Sequence, residues 1–364
     1  MNIVINTKTF PKYSRYDQTL FVFDCIITII NAHPEHSFFL ITDIEASKFL
    51  TAKNSTIINA APKSGNIIFW KIWYTYKLPG VLKKYNADVF INMDHISSLN
   101  TKVPQCLVIP DISNHNSFFK KNAPVFLEKA ASIITFSQVA KNEICKQYPK
   151  LATEKIAVIY NGVNETLQED YREETKEKYT QGKEYFLFVG DINETNYLIN
   201  LLKAFSFFKK RQKSNMQLII ATNTFLTDNN LVKSLKTYKY RDDVKLLADL
   251  QNEELLKITA ASYAFIYSLQ QTGFYSSLLR AMQYEVPAIA GNSLLMTEIC
   301  EDAVLFTDPA IFENIADKMM LLFKDEAKRS ELIKKGKTLA AKYPLSESNQ
   351  LFWQNIVKSV SQGC

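Results

Sequence analysis

Short apolar runs rich in β-branched residues alternate with helical stretches from one end of the chain to the other. This alternation predicts βαβ units and a parallel sheet, and therefore an α/β protein. Each run is short enough to be a buried central strand. In the first half the predicted strands are Asn2–Asn6, Ser37–Thr42, Val89–Asn92, Gln105–Ile109, Ser132–Phe136 and Ile156–Tyr160. Helical apolar spacing is found at Tyr16–Ala32, Glu128–Ala131 and Gln138–Gln147.

A second series of the same kind begins at Tyr185. Its predicted strands are Tyr185–Gly190, Met216–Ala221, Val244–Ala248, Ser262–Tyr267, Ala288–Ala290 and Ala303–Phe306. Its predicted helices are Tyr197–Arg211, Glu253–Ala260, Phe274–Tyr284, Ile311–Phe323 and Glu326–Lys342. Two such series predict two doubly wound domains.

The polar stretch Asn164–Lys183 lies between the two series and shows no apolar periodicity, so it predicts a linker. We therefore expect a first domain over residues 1–165, a linker over 166–183 and a second domain over 184–345. The length of 364 residues agrees with this division, because it exceeds what one hydrophobic core usually serves.

Composition narrows the class of protein without naming a function. The hydrophobic share of 47% and the charged share of 22% are typical of soluble globular proteins. No apolar run approaches the roughly 20 residues that span a bilayer, and the first residues predict a strand instead of a cleavable signal, so we expect a cytoplasmic protein. Five scattered cysteines without CxxC spacing argue against a disulfide framework or a zinc site. The net charge of +6 is too small to choose between phosphates, anionic lipids and nucleic acid.

Gly190 ends an apolar strand immediately before a predicted helix. Free backbone N–H groups and the helix dipole meet at such a turn, which makes it a common phosphate site. A glycine at this point serves the turn alone in about half of α/β strand-to-helix connections, so the signal is weak by itself.

The stretch from Val244 to Pro287, VKLLADLQNEELLKITAASYAFIYSLQQTGFYSSLLRAMQYEVP, closely resembles the second domain of the group 1 glycosyltransferases. Val158–Val163 and Asn292–Pro309 are similar to further segments of that family, as is the closing stretch from Ala340. The resemblance implies the GT-B fold, in which two Rossmann-like domains face one another across a cleft. The last helix, within residues 346–364, would cross back to the first domain. It also implies a retaining transferase that uses a nucleotide-sugar donor as substrate and holds no metal or other cofactor.

The resemblance also shows where this chain departs from the family. An E-x7-E pair in the family contacts the donor sugar and the ribose, and its two positions fall on Thr272 and Arg280 here. Thr272 retains a hydroxyl for a sugar contact, whereas a guanidinium cannot accept hydrogen bonds from a ribose diol. Arg280 has two alternatives, a salt bridge or phosphate contact and a structural position on the helix surface.

The loop after Gly190 departs in the same way. The family carries Arg and Lys there against the donor diphosphate, and this chain has Thr195 and Asn196 instead, with Asp191 adding a negative charge. Preorganised donors of this kind contribute roughly 2 to 4 kcal/mol each to catalysis. The remaining donor site predicted by the resemblance is the backbone at the start of the following helix. Its residues are Gly273, Phe274, Tyr275, Ser276 and Ser277.

In the first domain, the family's cleft H-D pair corresponds to Pro110-Asp111, and His115 follows shortly after. We expect Asp111 to act on the acceptor side, because ligands of α/β sheets bind beyond the carboxyl ends of strands. His115 has a catalytic and a surface interpretation. The loop with Lys8, Arg15 and Tyr16 corresponds to the family's acceptor loop, and its cations suit an anionic acceptor or simple solvation.

An aromatic and basic run, Phe69–Pro79, precedes further lysines. One interpretation is a peripheral contact with the inner face of a membrane, which would suit a lipid-linked acceptor. The other is a core-facing helix in which Trp70 and Trp73 are packed and Lys71 is exposed.

Two functions from different classes remain. The first is a glycosyltransferase that moves a sugar from a nucleotide sugar to a glycan or glycolipid acceptor. The second is a catalytically silent GT-B protein that binds or supports a partner, as the lost charged residues suggest. A nucleic-acid partner is disfavoured, because the basic residues are dispersed along the chain instead of forming one stripe.

Overall fold

The computed structural model describes residues 1–7, 20–42, 52–59, 67–112, 117–163, 171–190, 198–222, 234–248, 250–267 and 275–361. The chain divides into two compact units. The first contains the described residues up to Gly162 together with the last helix, which begins at Leu345. The second runs from Val163 to Pro344. Each unit is built on its own parallel sheet.

The first unit has a seven-stranded parallel sheet in the order β3-β2-β1-β4-β5-β6-β7. Its strands are β1 (Asn2–Asn6), β2 (Ser37–Ile41), β3 (Ser55–Ile58), β4 (Val89–Asn92), β5 (Gln105–Val108), β6 (Ser132–Thr135) and β7 (Ile156–Val158). After β3 the chain returns to the other side of β1 to form β4. The strand order therefore reverses between β1 and β4, which is where ligands bind in open α/β sheets.

Helices cover both faces of this sheet. They are α1 (Leu20–Ala32), α2 (Ile67–Ile72), α3 (Leu78–Lys84), α4 (Ser117–Lys129) and α5 (Gln138–Gln147), with a π-helical turn at Trp73–Lys77 that joins α2 to α3. One core cluster packs Trp73, Leu78 and Leu82 against the buried strand residues Phe90 and Leu107. The helical spacing predicted at Glu128–Ala131 is the end of α4, which starts eleven residues earlier, at Ser117.

The second unit has a six-stranded parallel sheet in the order β10-β9-β8-β11-β12-β13. Its strands are β8 (Tyr185–Val189), β9 (Gln217–Thr222), β10 (Val244–Ala248), β11 (Ala264–Ile266), β12 (Ala288–Gly291) and β13 (Val304–Thr307). The order reverses between β8 and β11. The helices are α6 (Arg172–Thr180), α7 (Leu198–Gln212), α8 (Asn252–Ala260), α9 (Ser276–Gln283), α10 (Leu294–Cys300), α11 (Phe312–Lys324) and α12 (Glu326–Ala340).

The last helix, α13 (Leu345–Ser361), belongs to the first unit, as the resemblance predicted. It contacts α1 and strands β4, β5 and β6. Phe352 and Ile356 are buried in that interface, and Ser359 Oγ lies 2.6 Å from Ser132 Oγ of β6. The amphipathic pattern of its sequence is explained by this burial.

Among the described residues, the elements that the hydrophobic pattern did not predict include β3, α6 and α10. β3 is an edge strand with two exposed residues, so its sequence lacks a continuous apolar run. α6 lies inside residues 166–183, the predicted linker, and is part of the second unit. Its helical sequence is strongly polar, and the Arg172 side chain anchors it by donating to Ala260 O and Tyr284 O, at 3.0 Å each.

Gly162 sits where the chain leaves the first unit, beside the point where it returns. A Cβ atom at this position would lie 2.5 Å from Leu345 Cα and 2.6 Å from Ser348 Oγ. Immediately after it, Val163 N donates to Tyr343 O at 3.0 Å and Val163 pairs with Pro344 in an isolated bridge. The glycine of the VIYNGV segment is therefore required by close packing against α13.

Candidate functional site

The carboxyl edge of the second sheet carries the predicted donor site. Its two predicted donor loops follow β8 and β11, the neighbouring strands between which the strand order reverses. Ile266 is in register with Phe188, so the ends of these two strands lie side by side. Of the predicted donor residues, Gly190, Tyr275, Ser276, Ser277 and Arg280 are described. The others, Asp191, Thr195, Asn196, Thr272, Gly273 and Phe274, lie outside the described residues.

The first turn of α9 is the best-defined part of this edge. Tyr275 is fully buried just before the helix, and Leu279 N makes the first bond within it, to Tyr275 O at 3.1 Å. Ser276 is only 3% exposed, and its Oγ has no hydrogen-bond partner within the described part of the chain. The first turn contains no acidic residue. A helix start of this kind, with backbone N–H groups, a positive dipole end and a buried hydroxyl, favours an anion.

Arg280 is half-buried on α9, four residues after Ser276. Residues at this spacing share a helix face, about 6 Å apart along the axis. The guanidinium therefore belongs to the helix that carries the anion-favouring first turn, although at its far end. The two interpretations of Arg280, phosphate contact and structural role, both stay predictions.

A second arginine, which the sequence did not single out, fixes α9 from its other end. Arg172 of α6 donates to Tyr284 O, the residue that follows the last turn of α9. Met282 packs against Gly336 of α12, where a Cβ would lie 3.1 Å from Met282 Cγ. α9 is thus held at its carboxyl end and along one side, so its first turn is presented by a rigid element.

Gly190 has a packing role in the strand end. Its N–H donates to Ala221 O at 3.0 Å, which extends the β8–β9 ladder by one residue. A Cβ on this residue would lie 3.1 Å from Cζ of the Phe188 ring, closer than ordinary contact. The presence of glycine at position 190 is therefore explained by packing, without a bound phosphate. The strand-to-helix turn by itself remains weak support for a phosphate site.

In the first unit, Asp111 is half-buried and follows β5 by three residues. It lies close enough to Glu143 of α5 to act on that residue: burial, and after it the charge of Asp111, raise the pKa of the Glu143 carboxyl. The other predicted residues of this unit, Lys8, Arg15, Tyr16 and His115, lie outside the described residues.

A buried polar network that the sequence reasoning missed lies at the carboxyl ends of β1 and β4. Asn6 and Asn92 are the last residues of these strands and are register partners. Asn6 Nδ2 donates to Asn92 Oδ1 at 2.8 Å and to Asp94 Oδ2 at 2.6 Å. Tyr74 OH donates to Asp94 Oδ2 at 2.9 Å and accepts from Asn92 Nδ2 at 3.0 Å. These four side chains meet where the strand order reverses.

Two backbone features accompany the network. Tyr74 lies in the π-helical turn, which buries both Trp73 and Tyr74, and π-turns are frequent at functional sites. His95 has a φ of 64°, in the left-handed region that non-glycine residues rarely adopt. Burial, followed by the charge of Asp94, raises the pKa of Tyr74 well above its usual value, so the phenol stays protonated and donates. The signal in the sequence was an asparagine at the end of each of two apolar strands. Asp94-His95 follows shortly after the second of these strands, β4.

These two sheets, with the last helix returning to the first unit, define the GT-B class of glycosyltransferase folds. The structure of a glycosyltransferase from Rickettsia africae matches with a TM-score of 0.77 at 16% identity, over 97% of each chain. Anabaena HepE, solved with UDP and glucose, matches with a TM-score of 0.79 at 15% identity, over 98% of this chain and 99% of that one. WaaG, a glycosyltransferase involved in lipopolysaccharide biosynthesis, matches with a TM-score of 0.77 at 13% identity, over 97% and 99%. At these identities the likeness shows the fold alone.

The family match comes from the sequence of the second unit. Residues 170–339 match the model of the family described as Glycosyl transferases group 1. This segment contains both β8 and α9, and it confirms the resemblance drawn from the motifs between Val244 and Pro309. The family match covers residues 170–339, which lie in the second unit, and the first unit is matched by fold alone.

Proposed function

We propose that this protein is a glycosyltransferase that moves a sugar from a nucleotide-sugar donor to a glycan or lipid-linked acceptor. The observation that supports it most is the start of α9, within the matched family segment, where Ser276 Oγ is buried and has no partner among the described residues. A phosphate oxygen of the donor would accept from this hydroxyl and from first-turn N–H groups. HepE, a structural neighbour, was solved with UDP-glucose.

The remaining roles are proposals from the resemblance. Thr272 would contact a sugar hydroxyl, and Arg280 would contact phosphate or support the helix. Asp111 would act on the acceptor side. Transfer with retention and without a resident metal follows from the same resemblance, in which the nucleotide sugar is a substrate.

Thermal unfolding with a panel of ligands tests the donor proposal. The panel contains UDP, GDP, ADP and their glucose, N-acetylglucosamine and mannose conjugates. A ligand at 100 times its dissociation constant adds about 2.7 kcal/mol to the free energy of unfolding, which gives a clear rise in Tm. We expect a rise with the nucleotides of one base and turnover of the matching nucleotide sugar. Unchanged Tm values with the whole panel would contradict the proposal.

The second candidate, a catalytically silent binding partner, is favoured by one observation. Neither position of the E-x7-E pair is acidic here, and the cations expected after Gly190 are replaced by Thr195 and Asn196. A rise in Tm with a nucleotide, combined with no release of nucleoside diphosphate from any conjugate, would favour this candidate over the enzyme.

A lipid-linked acceptor is proposed from the surface of residues 67–84, which include α2, the π-helical turn and α3. This segment has no acidic residue and four lysines, Lys71, Lys77, Lys83 and Lys84. Trp73 is buried and Lys71 exposed, as the core-facing interpretation predicts. The same helix nevertheless exposes large apolar side chains: Ile68 (63%), Phe69 (54%), Ile72 (41%) and Tyr76 (73%).

This combination suits the surface of an anionic bilayer. Each lysine near such a surface contributes about 1 kcal/mol, and the apolar side chains add buried area at the interface. No helix within the described residues is long and apolar enough to cross a membrane. Peripheral contact is therefore the mode that we propose.

Co-sedimentation with vesicles tests this surface. We expect binding to vesicles with 30% phosphatidylserine and none to pure phosphatidylcholine. The variant Ile68→Ser/Phe69→Ser/Ile72→Ser should lose binding, whereas Ile199→Ser/Leu294→Ser, which changes exposed apolar residues of the second unit, should retain it. Equal sedimentation of the two variants would contradict the assignment.

A further inference from the structure

Three potential metal ligands converge in the turn between α1 and β2. His33 Nδ1 lies 3.1 Å from Glu35 Oε1, and His36 Nε2 lies 3.5 Å from the same oxygen. All three ligand atoms lie within 4.8 Å of one another. The carboxylate oxygen therefore stands between two imidazole nitrogens, on a turn that the proposed transferase activity does not use.

The sequence builds this turn locally. α1 ends at Ala32, and His36 N donates to His33 O at 3.1 Å, which closes a tight turn over Pro34-Glu35. Such a turn brings His33 and His36 to the same side, where their rings stack with an interplanar angle of 13°. Two histidines three residues apart thus become neighbours by backbone geometry alone.

Side chains from two other parts of the first unit hold the turn in place. Asn54 Nδ2 lies within hydrogen-bond distance of three of its carbonyl oxygens, those of Ile30, His33 and His36, at 3.0, 3.1 and 3.3 Å. Trp353 of α13 stacks on the His33 ring with centroids 3.8 Å apart, and on the His36 ring at 5.3 Å. Supporting contacts of this kind orient imidazole ligands in metal sites.

Two of the donor separations fit a tetrahedral ion. Bonds of about 2.0 to 2.2 Å to nitrogen and oxygen put adjacent donors roughly 3.3 Å apart in a tetrahedron, and the two measured separations of 3.1 and 3.5 Å lie on either side of that value. The remaining ring nitrogen of His36 lies 3.2 Å from the Met1 nitrogen.

We propose that His33, Glu35 and His36 bind a divalent transition-metal ion of the Zn²⁺ type, with water in the fourth position. Two imidazoles and one carboxylate are a donor set that Zn²⁺ accepts and that Ca²⁺ and Mg²⁺ avoid. This proposal departs from the expectation, drawn from the scattered cysteines, that the chain has no zinc site.

The ion is structural, because of where the turn lies in the sheet. His36 immediately precedes β2, at the amino ends of the strands, whereas Asn6 and its network lie at the carboxyl ends. The five residues of β1 separate these edges by roughly 16 Å. An ion at the turn would instead immobilise the two rings against Trp353, and so fasten α13 to the rest of the first unit.

Calorimetric titration of the full chain with ZnCl₂, after removal of metals by EDTA, tests the site. We expect one ion per chain and a higher Tm with Zn²⁺. His33→Ala/His36→Ala should abolish this binding. Glu35→Gln should weaken it at least about tenfold, because even the loss of a residue that only supports a metal ligand lowers metal affinity by about that factor. The sequence has four histidines, so His95→Ala/His115→Ala is the matched control and should retain binding.

A fluorescence experiment locates the ion independently of the thiols, which also bind Zn²⁺. Cu²⁺ quenches nearby indoles, so it should quench emission of the wild type and much less that of Trp353→Phe, in which binding persists. Zn²⁺ binding that is unchanged in His33→Ala/His36→Ala, or quenching that is unchanged in Trp353→Phe, would overturn the proposal.

Discussion

At the scale of single residues, replacement of Ser276 should affect ligand binding and stability differently. In the described part of the chain it is buried without a hydrogen-bond partner, so it adds desolvation cost and no compensating bond to the folded state. A bound phosphate would supply that partner. Folding and binding therefore make opposite demands on the same atom.

Ser276→Ala should weaken nucleotide binding and leave the free protein as stable as before or slightly more so. A hydrogen bond to a charged group contributes about 1.5 to 3 kcal/mol, so we expect the dissociation constant to rise roughly tenfold to a hundredfold. Calorimetric titration with the nucleotide found in the ligand panel measures the affinity, and a thermal melt measures the stability. A lower Tm with unchanged affinity would show that the hydroxyl serves the fold instead.

Tyr74→Phe should destabilise the first unit without changing its apolar packing. The change removes the donor to Asp94 Oδ2 and the acceptor for Asn92 Nδ2, both in a buried network, at a cost of about 1 to 3 kcal/mol. Urea unfolding measures the loss. Tyr76→Phe, at an exposed position two residues later, is the matched control and should be neutral. Equal stability of the two variants would show that the network contributes nothing.

At the scale of elements, α9 and α13 illustrate two ways of positioning a helix. α9 is fixed through its carboxyl end by Arg172, so its first turn remains available for a ligand. α13 is instead packed along its length against the first sheet, with its start in contact with Gly162. The close approach at Gly162 makes the start of α13 sensitive to a single methyl group.

Gly162→Ala should lower the free energy of unfolding by about 1 to 3 kcal/mol, the usual cost of overpacking. The added Cβ meets the backbone of Leu345, which cannot rotate away as a side chain would. Gly80→Ala is the control, since a Cβ there meets nothing within 4 Å and Gly80 lies inside α3. We expect the control to be neutral or up to about 1 kcal/mol more stable. Urea unfolding of both variants decides, and a neutral Gly162→Ala would contradict the clash.

The hydrophobic pattern predicted most elements, because most of the described strands are buried apolar runs. It failed where burial is one-sided or absent, as in the edge strand β3 and the polar helix α6. α6 forms because Arg172 finds carbonyl partners far along the chain, at Ala260 and Tyr284, and no local pattern records them.

The candidate sites were predicted unevenly for a similar reason. The start of α9 follows from a motif that is contiguous in sequence, so Ser276 and its neighbours were singled out. The network of Asn6, Tyr74, Asn92 and Asp94 is assembled from three separate segments by the pairing of β1 with β4. Only the register of the sheet shows that two strand-ending asparagines are partners.

At the scale of the whole molecule, buried acids should limit stability in alkali. Burial raises the pKa of the Cys106 thiol to about 11 and that of Cys300 to about 12, from 9.0. Burial, then the charge of Asp24, raises that of Cys25 as well. These thiols ionise at a lower pH in the unfolded chain than in the folded protein. Below pH 9 they are protonated in both states and do not reduce the free energy of unfolding. As the pH rises from 9 toward the pKa values of the folded protein, the free energy of unfolding falls.

We therefore expect the free energy of unfolding to fall between pH 9 and pH 11. Each buried thiol contributes up to about 1.4 kcal/mol per pH unit in that window. Urea unfolding in reductant at pH 8, 9, 10 and 11 measures the slope, and Cys300→Ala should show a shallower one than the wild type. A slope that does not change with this variant would contradict the role of Cys300.

The bridge between Val163 and Pro344 has a consequence for the order in which the protein is made. Within the described residues, the second unit is an insert that runs from Val163 to Pro344, and both of its ends meet at that bridge. During synthesis from the amino end, the insert can finish folding while the earlier unit still waits for its last helix. A premature stop codon near residue 345 would consequently leave the second unit intact and destabilise the first unit, although the ribosome produces most of the first unit earlier.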